Sequence, residues 1–232
     1  KSLILALLLS LVPLGVFNIP ASAAAYGDYT YTVYNNEATI TNCSLSISGD
    51  ITIPAQIDGY PVTCIGSAAF RICNNMTSVT IPDSVTRISD YAFADCAELT
   101  KVTIGDGVTR ISDYAFNNCD KLTDVIIGSS VTSIGKSAFY SCSNLKDVYI
   151  TDVAAWCNIS FGNYYANPMY YAKNFCIDNT LVKEIVIPDT VTEIKAYAFY
   201  NCTSLTSVTI PDSVTSIGEL AFLGCTSLAR VY

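Results

Sequence analysis

The amino-acid sequence predicts an α/β solenoid in which 23-residue coils stack along one axis. The first observation is a direct repeat, because VTRISDYAF occurs at residues 85–93 and again, unchanged, at residues 108–116. The second is a period-two alternation of apolar residues within each repeat, which is typical of a half-buried strand. The third is a composition of 51% hydrophobic and 14% charged residues, which suits one continuous core.

Ala–Phe pairs mark the register of the repeat, and four of the five intervals between them equal the 23-residue period. The phenylalanines of these pairs are Phe70, Phe93, Phe116, Phe139, Phe199 and Phe222. A 60-residue interval separates Phe139 from Phe199, which equals two coils and an insertion of 14. We therefore expect one irregular coil at about residues 151–181.

Each regular coil is predicted to contain three parts. In the sequence LTSVTIP, Val208 and Ile210 alternate with Thr209, which indicates a strand on the concave face of the solenoid. A Pro-Asp turn and a second short extended segment, ending near Ile217, follow this strand. The Ala–Phe pair is expected on a short helical or 3₁₀ turn that closes the coil.

The N-terminus differs in kind from the repeats. Lys1 precedes an apolar run of about 15 residues and the small-residue stretch ASAAA, a pattern typical of a secretory signal peptide cleaved after Ala23 or Ala25. The run is shorter than the ~20 residues that a membrane-spanning helix needs, so no membrane insertion is expected after cleavage. The predicted organisation is a signal peptide at residues 1–25, an N-terminal cap at 26–52 and the solenoid at 53–232.

Charge and composition exclude several classes of function. The chain carries a formal net charge of −8, which argues against binding to nucleic acid or to an anionic membrane surface. It contains no His, which removes Ser-His-Asp and Cys-His catalysis. A carboxylate-dependent glycosidase is a weak alternative, because no spacing of acids singles out a catalytic pair. We predict no enzyme, no cofactor and no metal site.

The repeat pattern IPxxVTxIGxxAFxxCxxLxxV resembles that of the BspA-like leucine-rich repeats of secreted and surface proteins from host-associated microbes. The resemblance covers about residues 29–232, with a departure at residues 128–130, where GSS replaces PDS. It implies a leucine-rich-repeat solenoid and a role in adhesion to proteins of a host or of neighbouring cells. It brings no catalytic motif.

Six of the ten cysteines occupy one position of the repeat, where a small apolar side chain suits a buried turn. They are Cys73, Cys96, Cys119, Cys142, Cys202 and Cys225. Stacked side chains with parallel Cβ vectors do not favour disulfides, so we expect a ladder of free thiols. The other four, Cys43, Cys64, Cys157 and Cys176, lie outside the register, and their pairing stays open.

Acidic residues also recur, at Asp83, Asp106, Asp189 and Asp212. They could form a row that binds calcium, or each could bond backbone at its own turn. Recurrence at a turn position favours the structural interpretation.

The irregular coil is rich in aromatic residues: Trp156, Phe161, Tyr164, Tyr165, Tyr170, Tyr171 and Phe175. Aromatic rings with polar tips serve as platforms for proteins and sugars. Alternatively, these rings fill the volume where a coil is interrupted, and composition favours this structural role.

The outward positions of the predicted strands change character along the solenoid. In order they are Thr80, Thr103, Ile126, Tyr149, Val186, Thr209 and Tyr232. Threonine is typical of a solvent-facing strand, so the three central residues form an apolar stripe. Acidic residues lie in the neighbouring row, which reads Lys101, Asp124, Asp147 and Glu184. Either the insertion covers this stripe or the stripe is exposed and binds a partner.

We therefore predict a secreted or cell-surface protein without enzymatic activity, which binds a host or neighbouring-cell protein, or a glycan, through its concave sheet and its aromatic insertion. The predicted contact residues are Ile126, Tyr149, Val186, Asp124, Asp147, Trp156, Tyr164, Tyr165, Tyr170 and Tyr171. The alternative is a non-catalytic spacer or accessory repeat module of a larger secreted enzyme.

Overall fold

The computed structural model describes residues 23–232 and shows a solenoid of stacked coils joined by parallel strands. The predicted fold class is confirmed. Most of the predicted signal peptide, residues 1–22, lies outside the described residues. Within the described part of the chain, no helix is both long and apolar enough to cross a membrane.

The N-terminal cap is an antiparallel sheet that leads into the solenoid. Its strands are β1 (Ala24–Tyr26), β2 (Tyr29–Tyr34) and β3 (Glu37–Cys43). The last of them pairs in parallel with β6 (Tyr60–Ile65), which also forms a hairpin with β5 (Gln56–Ile57). Sheet pairing therefore continues without a break from the cap into the first coil.

Each coil contributes one strand to a long sheet, in which parallel neighbours are one coil apart. These strands are β4 (Ser48–Thr52), β7 (Asn75–Ile81), β9 (Lys101–Ile104), β11 (Asp124–Ile126), β13 (Asp147–Ile150) and β15 (Asn174–Ile177). An antiparallel strand, β16 (Thr180–Leu181), ends this sheet. Inward residues such as Val102, Val125 and Val148 are completely buried, as the period-two pattern predicts.

The second extended segments stack into a second sheet after β6. They are β8 (Arg87–Ile88), β10 (Arg110–Ile111), β12 (Ser133–Ile134) and β14 (Ser160–Phe161). The last coils form a separate stack, with β17 (Glu184–Val186), β19 (Ser207–Thr209) and β21 (Arg230–Val231) in one sheet and β18 (Glu193–Ile194) and β20 (Ser216–Ile217) in another. The solenoid thus consists of a long stack and a short stack.

The phenylalanines of the Ala–Phe pairs form the centre of the core. Phe70, Phe93, Phe116 and Phe139 are fully buried, and successive rings stack with centroids 4.9–5.3 Å apart. Face-to-face stacks of this kind follow from the strict repeat, because each ring meets an identical neighbour one coil away.

The Ala–Phe turn is not helical in the regular coils, which corrects the prediction for this segment. Residues flanking the pair have positive φ angles, for example 57° at Tyr91 and 61° at Asp95. These left-handed residues direct alternate N–H groups toward the next coil, so Tyr91, Phe93 and Asp95 donate to its carbonyls at 2.8–3.1 Å. A helical turn would use these N–H groups within its own coil.

The repeated aspartates occupy turns, as the structural interpretation predicted, but the carboxylates of Asp83 and Asp106 bond the backbone of the following coil and not that of their own turn. Asp83 Oδ1 accepts a hydrogen bond from Asp106 N at 2.8 Å, and Asp106 Oδ1 accepts one from Ser129 N at 2.7 Å. Each carboxylate therefore caps the turn of the following coil.

The irregular coil joins the two stacks and has a 27-residue period, since Asn174 in β15 lies opposite Asp147 in β13. It contains the helix α1 (Val153–Cys157), which begins at Asp152, and 3₁₀ turns at Tyr164–Ala166 and Pro168–Tyr170. After the β15–β16 hairpin the sheets restart, because β17 pairs with β19 and with no strand of the long stack in the described chain. The ladder of strand pairing is interrupted at this junction.

Side chains of the irregular coil replace most of the missing ladder, together with a backbone bond from Lys195 N to Cys157 O at 2.9 Å. Trp156 Nε1 donates to Ala198 O at 2.8 Å, and Asn167 Nδ2 donates to Tyr197 O at 2.6 Å. Trp156 is 1% exposed and Asn167 is completely buried. The structural role that composition favoured for the aromatic residues is therefore confirmed for Trp156.

Candidate partner-binding surface

The first candidate surface is the outward side of the central strands of the long sheet, which we call the strand face. It consists of Asp124 and Ile126 in β11, Asp147 and Tyr149 in β13, and Asn174 and Cys176 in β15. Parallel register places Asp124 beside Asp147 and Ile126 beside Tyr149. The predicted adjacency of the apolar and acidic rows is confirmed for these four residues.

Val186 does not extend this surface, which corrects its predicted place in the apolar stripe. The irregular coil supplies its own strand, so Cys176 lies beside Tyr149 and pairs in turn with Leu181. Val186 belongs to β17 of the short stack, where its neighbour is Thr209 and its side chain is 67% exposed. The apolar row therefore runs from Ile126 through Tyr149 and Cys176 to Leu181.

Hydrogen bonds hold the two carboxylates of the strand face in place. Asp124 accepts from Thr123 Oγ1 at 2.6 Å and from the Tyr149 hydroxyl at 3.3 Å. Asp147 accepts from Asn174 Nδ2 at 2.7 Å. Neighbouring donors orient both groups, which keeps two acceptors side by side without an ion pair among the described residues.

Burial and the nearby carboxylates raise the pKa values of the other titratable groups of this surface. Burial, followed by the charges of Asp147 and Asp124, raises the pKa of Tyr149 to about 12. The same causes raise the pKa of the Cys176 thiol. At neutral pH the strand face therefore presents two negative charges beside an apolar edge, which suits a basic group carried on an apolar segment.

The predicted aromatic contact residues lie elsewhere. Trp156 belongs to the core, and its predicted place on a binding surface is wrong, because its ring is enclosed and its N–H is already bonded. The insertion does not fold over the strand face either. Its 3₁₀ turns pack beside the Ala–Phe turns, as the bond from Phe139 N to Tyr165 O shows.

Seven tyrosines form a second candidate surface on this side of the solenoid, which we call the tyrosine cluster. Its members are Tyr140, Tyr164, Tyr165, Tyr170, Tyr171, Tyr197 and Tyr200. Tyr140 is 43% and Tyr164 is 37% exposed, so the cluster presents aromatic surface to solvent. Tyr140 and Tyr200 were missed in the sequence, although both directly follow the phenylalanine of an Ala–Phe pair.

An open groove of about 380 Å³ lies between the two surfaces. Tyr171 of the tyrosine cluster and Asn174 of the strand face line it, together with Lys146 and Lys173. The Tyr171 hydroxyl accepts a hydrogen bond from Ser141 N at 3.0 Å, which fixes the ring at the edge of the groove.

A basic groove on the second sheet was also missed in the sequence. It has a volume of about 430 Å³ and is lined by Arg87, Arg110, Glu37 and threonines of successive coils. Arg87 and Arg110 are direct neighbours in register, and neither forms an ion pair within residues 23–232. The signal that could have revealed them is their identical place in the two copies of VTRISDYAF.

Comparison with known families agrees with this architecture. A family model described as "BspA type Leucine rich repeat region" matches in six copies at residues 63–166 and 171–232. The chain belongs to this family of leucine-rich-repeat proteins. A search of curated proteins gives no match.

Two solved structures show the same fold. The chain is similar to the T. pallidum leucine-rich repeat protein TpLRR, with 26% identity and a TM-score of 0.62 over 90% of this chain and 91% of that one. It is also similar to a leucine-rich repeat protein from Bacteroides capillosus, with 34% identity and a TM-score of 0.52 over 56% of this chain and 99% of that one.

Within the described residues, no group of three or more Cys, Asp or Glu side chains is arranged to hold a metal ion. The chemistry that the arrangement offers is recognition through charge, hydrogen bonding and apolar contact.

Proposed function

We propose that this protein is secreted or displayed on the cell surface and binds a protein of a host or of a neighbouring cell through the strand face. The observation that carries this proposal is the change from Thr80 and Thr103 to Ile126 and Tyr149 at equivalent outward positions. A solenoid needs no apolar residue there, because these side chains contribute nothing to the ladders of the core.

The chemistry of the strand face defines the partner. Asp124 and Asp147 are adjacent carboxylates beside the Tyr149 ring and the Ile126 methyl groups of the apolar row. A protein segment with a Lys or Arg next to an apolar side chain matches both properties. A glycan is the second kind of ligand that carboxylates and a tyrosine recognise, and the experiment below distinguishes it.

The proposal includes no catalytic activity. The chain has no His, and the titratable groups of the strand face are two carboxylates, a phenol and a thiol. The phenol of Tyr149 has a raised pKa, which makes it a poor general base at neutral pH.

The test is a double substitution, Ile126→Thr with Tyr149→Thr, which restores the threonine row. We expect binding to weaken by about 2 kcal/mol, or roughly 30-fold, because central apolar contacts dominate interface energies. Binding is measured by biolayer interferometry on immobilised fibronectin, laminin and mucin, together with a glycan array. Asp124→Asn with Asp147→Asn should reduce the salt dependence of the same interaction.

The matched control is Thr80→Ala with Thr103→Ala, in the same row and the same sheet. This variant should bind as the unaltered protein does, and both double variants should keep their melting temperatures within about 2 °C. Unchanged binding with a lowered melting temperature for the Ile126/Tyr149 variant would rule out the interface. Absence of binding to any of the immobilised proteins and to the glycan array would favour the spacer or accessory module. Binding on the glycan array alone would indicate a sugar ligand in place of a protein partner.

A further inference from the structure

The N-terminal cap and the first coil meet through two cysteines. The Sγ atoms of Cys43 and Cys73 lie 2.8 Å apart, which is well inside the sum of two sulfur van der Waals radii. Both side chains are buried, and Cys43 N also donates to Ala69 O at 2.9 Å. The 30-residue separation of Cys43 from Cys73 does not match the 23-residue register.

The other thiols of the ladder are bonded differently. Cys96, Cys119 and Cys142 each donate to a phenylalanine carbonyl of the preceding coil, at 3.0–3.2 Å. Cys73 has no such carbonyl partner among the described residues, because the cap that precedes it contains no Ala–Phe turn. At Cys73, the Sγ atom of Cys43 occupies the position that a phenylalanine carbonyl occupies at Cys96, Cys119 and Cys142.

We propose that Cys43 and Cys73 form a disulfide bond that fastens the N-terminal cap to the first coil. The two sulfurs already lie close together, from segments that the backbone bond at Ala69 holds in place. A bond here requires only a small further approach of the two side chains. The stacked thiols of the regular ladder, which bond to carbonyls, stay reduced.

The oxidant is a small-molecule disulfide, such as glutathione disulfide, in an extracytoplasmic compartment. One of the two cysteines, as a thiolate, attacks one sulfur of this oxidant and releases the other half as a thiolate. The second cysteine, as a thiolate, then attacks the protein sulfur of the mixed disulfide and expels the remaining half. Two protein thiols thus lose two protons and two electrons, and one oxidant molecule becomes two thiols.

Either cysteine can make the first attack, because the contact that distinguishes the two thiols forms only when the cap has closed. Both thiols are enclosed in the folded protein, so the exchange takes place before the cap closes on the first coil.

The disulfide links the N-terminal cap covalently to the first coil of the solenoid. Terminal units have a neighbour on one side only and open more readily than internal ones. A bond between Cys43 and Cys73 closes a 30-residue loop in the unfolded chain, which disfavours opening of the cap.

Mass spectrometry tests the bond directly. The full chain is refolded with glutathione disulfide, alkylated in denaturant without reductant, and digested with trypsin. Cys43 lies on the peptide that ends at Arg71 and Cys73 on residues 72–87, so the bond links these two peptides. The same digest of a Cys64→Ala variant assigns the link to Cys43, because Cys64 shares the first peptide. Cys96 and Cys119 should carry one alkyl group each, and full alkylation of Cys43 and Cys73 overturns the proposal.

Thermal unfolding provides an independent measurement. Reduction of the unaltered protein should lower its melting temperature by roughly 5–10 °C. Cys43→Ala and Cys73→Ala should abolish this response to reductant, whereas Cys96→Ala should retain it. A melting temperature that reductant does not change in the unaltered protein contradicts the bond, whether or not the variants fold.

Discussion

The regular coils and the irregular coil bury their polar groups in different ways. Between the regular coils, backbone N–H groups donate to backbone carbonyls one coil away, and stacked phenylalanines fill the interior. At the irregular coil the strand pairing ends, and the side chains of Trp156 and Asn167 donate to carbonyls of the short stack. Because backbone bonds do not depend on side-chain identity, the hydrogen bonds between regular coils survive side-chain substitutions that would remove those of the junction.

Among the substitutions that test this comparison, Trp156→Ala is expected to lower the free energy of unfolding most. The substitution removes a buried indole and its hydrogen bond to Ala198 O, which retains the longer bond from Asn167 Nδ2 at 3.3 Å, at a cost of about 3–5 kcal/mol. Because the junction holds the two stacks together, calorimetry should resolve two transitions in place of one.

Trp156→Phe is the matched variant, since it keeps most of the ring and loses the N–H. It should cost less than Trp156→Ala and keep a single transition. Two stacks that unfold together in the alanine variant would show that the junction does not couple them through Trp156.

Asn167→Ala is expected to have the next largest effect. The Asn167 amide is completely buried and donates to Tyr197 O at 2.6 Å, so its loss leaves this carbonyl without the amide donor, at a cost of about 1–3 kcal/mol. The control is Asn158→Ala, because among residues 23–232 the amide of the exposed Asn158 bonds only within its own coil, to Ala154 O. Urea denaturation of both variants measures the difference, and equal losses would contradict the special role of the junction.

Ionisation of Tyr149, which lies on the strand face, should have a smaller, pH-dependent effect on the stability of the protein. Its folded-state pKa of about 12 lies above its ordinary value of 10.0, so the stabilisation is complete below pH 10 and is lost as the pH rises through 12. Tyr149→Phe should reduce the dependence of the free energy of unfolding on pH between pH 10 and pH 12. Chemical denaturation between pH 8 and pH 12 checks this, and an identical alkaline profile in both proteins would contradict it.

The cysteines of the thiol ladder are expected to react much more slowly in the native protein than in the denatured protein. Burial raises the pKa of Cys142 to about 12 and holds the pKa of Cys202 well above its ordinary value. Both should react with a thiol reagent at pH 8 roughly 100-fold more slowly in the native protein than in denaturant. Rapid labelling of Cys142 in the native state would show that the long stack opens locally.

The sequence determined the regular part of this protein. A 23-residue repeat fixes which residues meet, because each side chain lies against its own counterpart in the next coil. The phenylalanine stacks, the turn role of Asp83 and the adjacency of Ile126 and Tyr149 were predictable for this reason. The absence of His likewise set limits on chemistry without any knowledge of the fold.

Tertiary structure decided the departures from the repeat and the backbone conformation of its turns. Cys176, and not Val186, lies beside Tyr149, because the irregular coil contributes a strand that no repeat marks. Most left-handed residues of the Ala–Phe turns carry ordinary side chains such as Tyr91, and the glycine of the last turn, Gly224, is too isolated a signal to reveal the conformation. The contact between Cys43 and Cys73 joins two segments of different register. A periodic pattern specifies contacts only between equivalent positions, so it could reveal neither of these two contacts, and by itself it does not specify the backbone conformation that a recurring turn adopts.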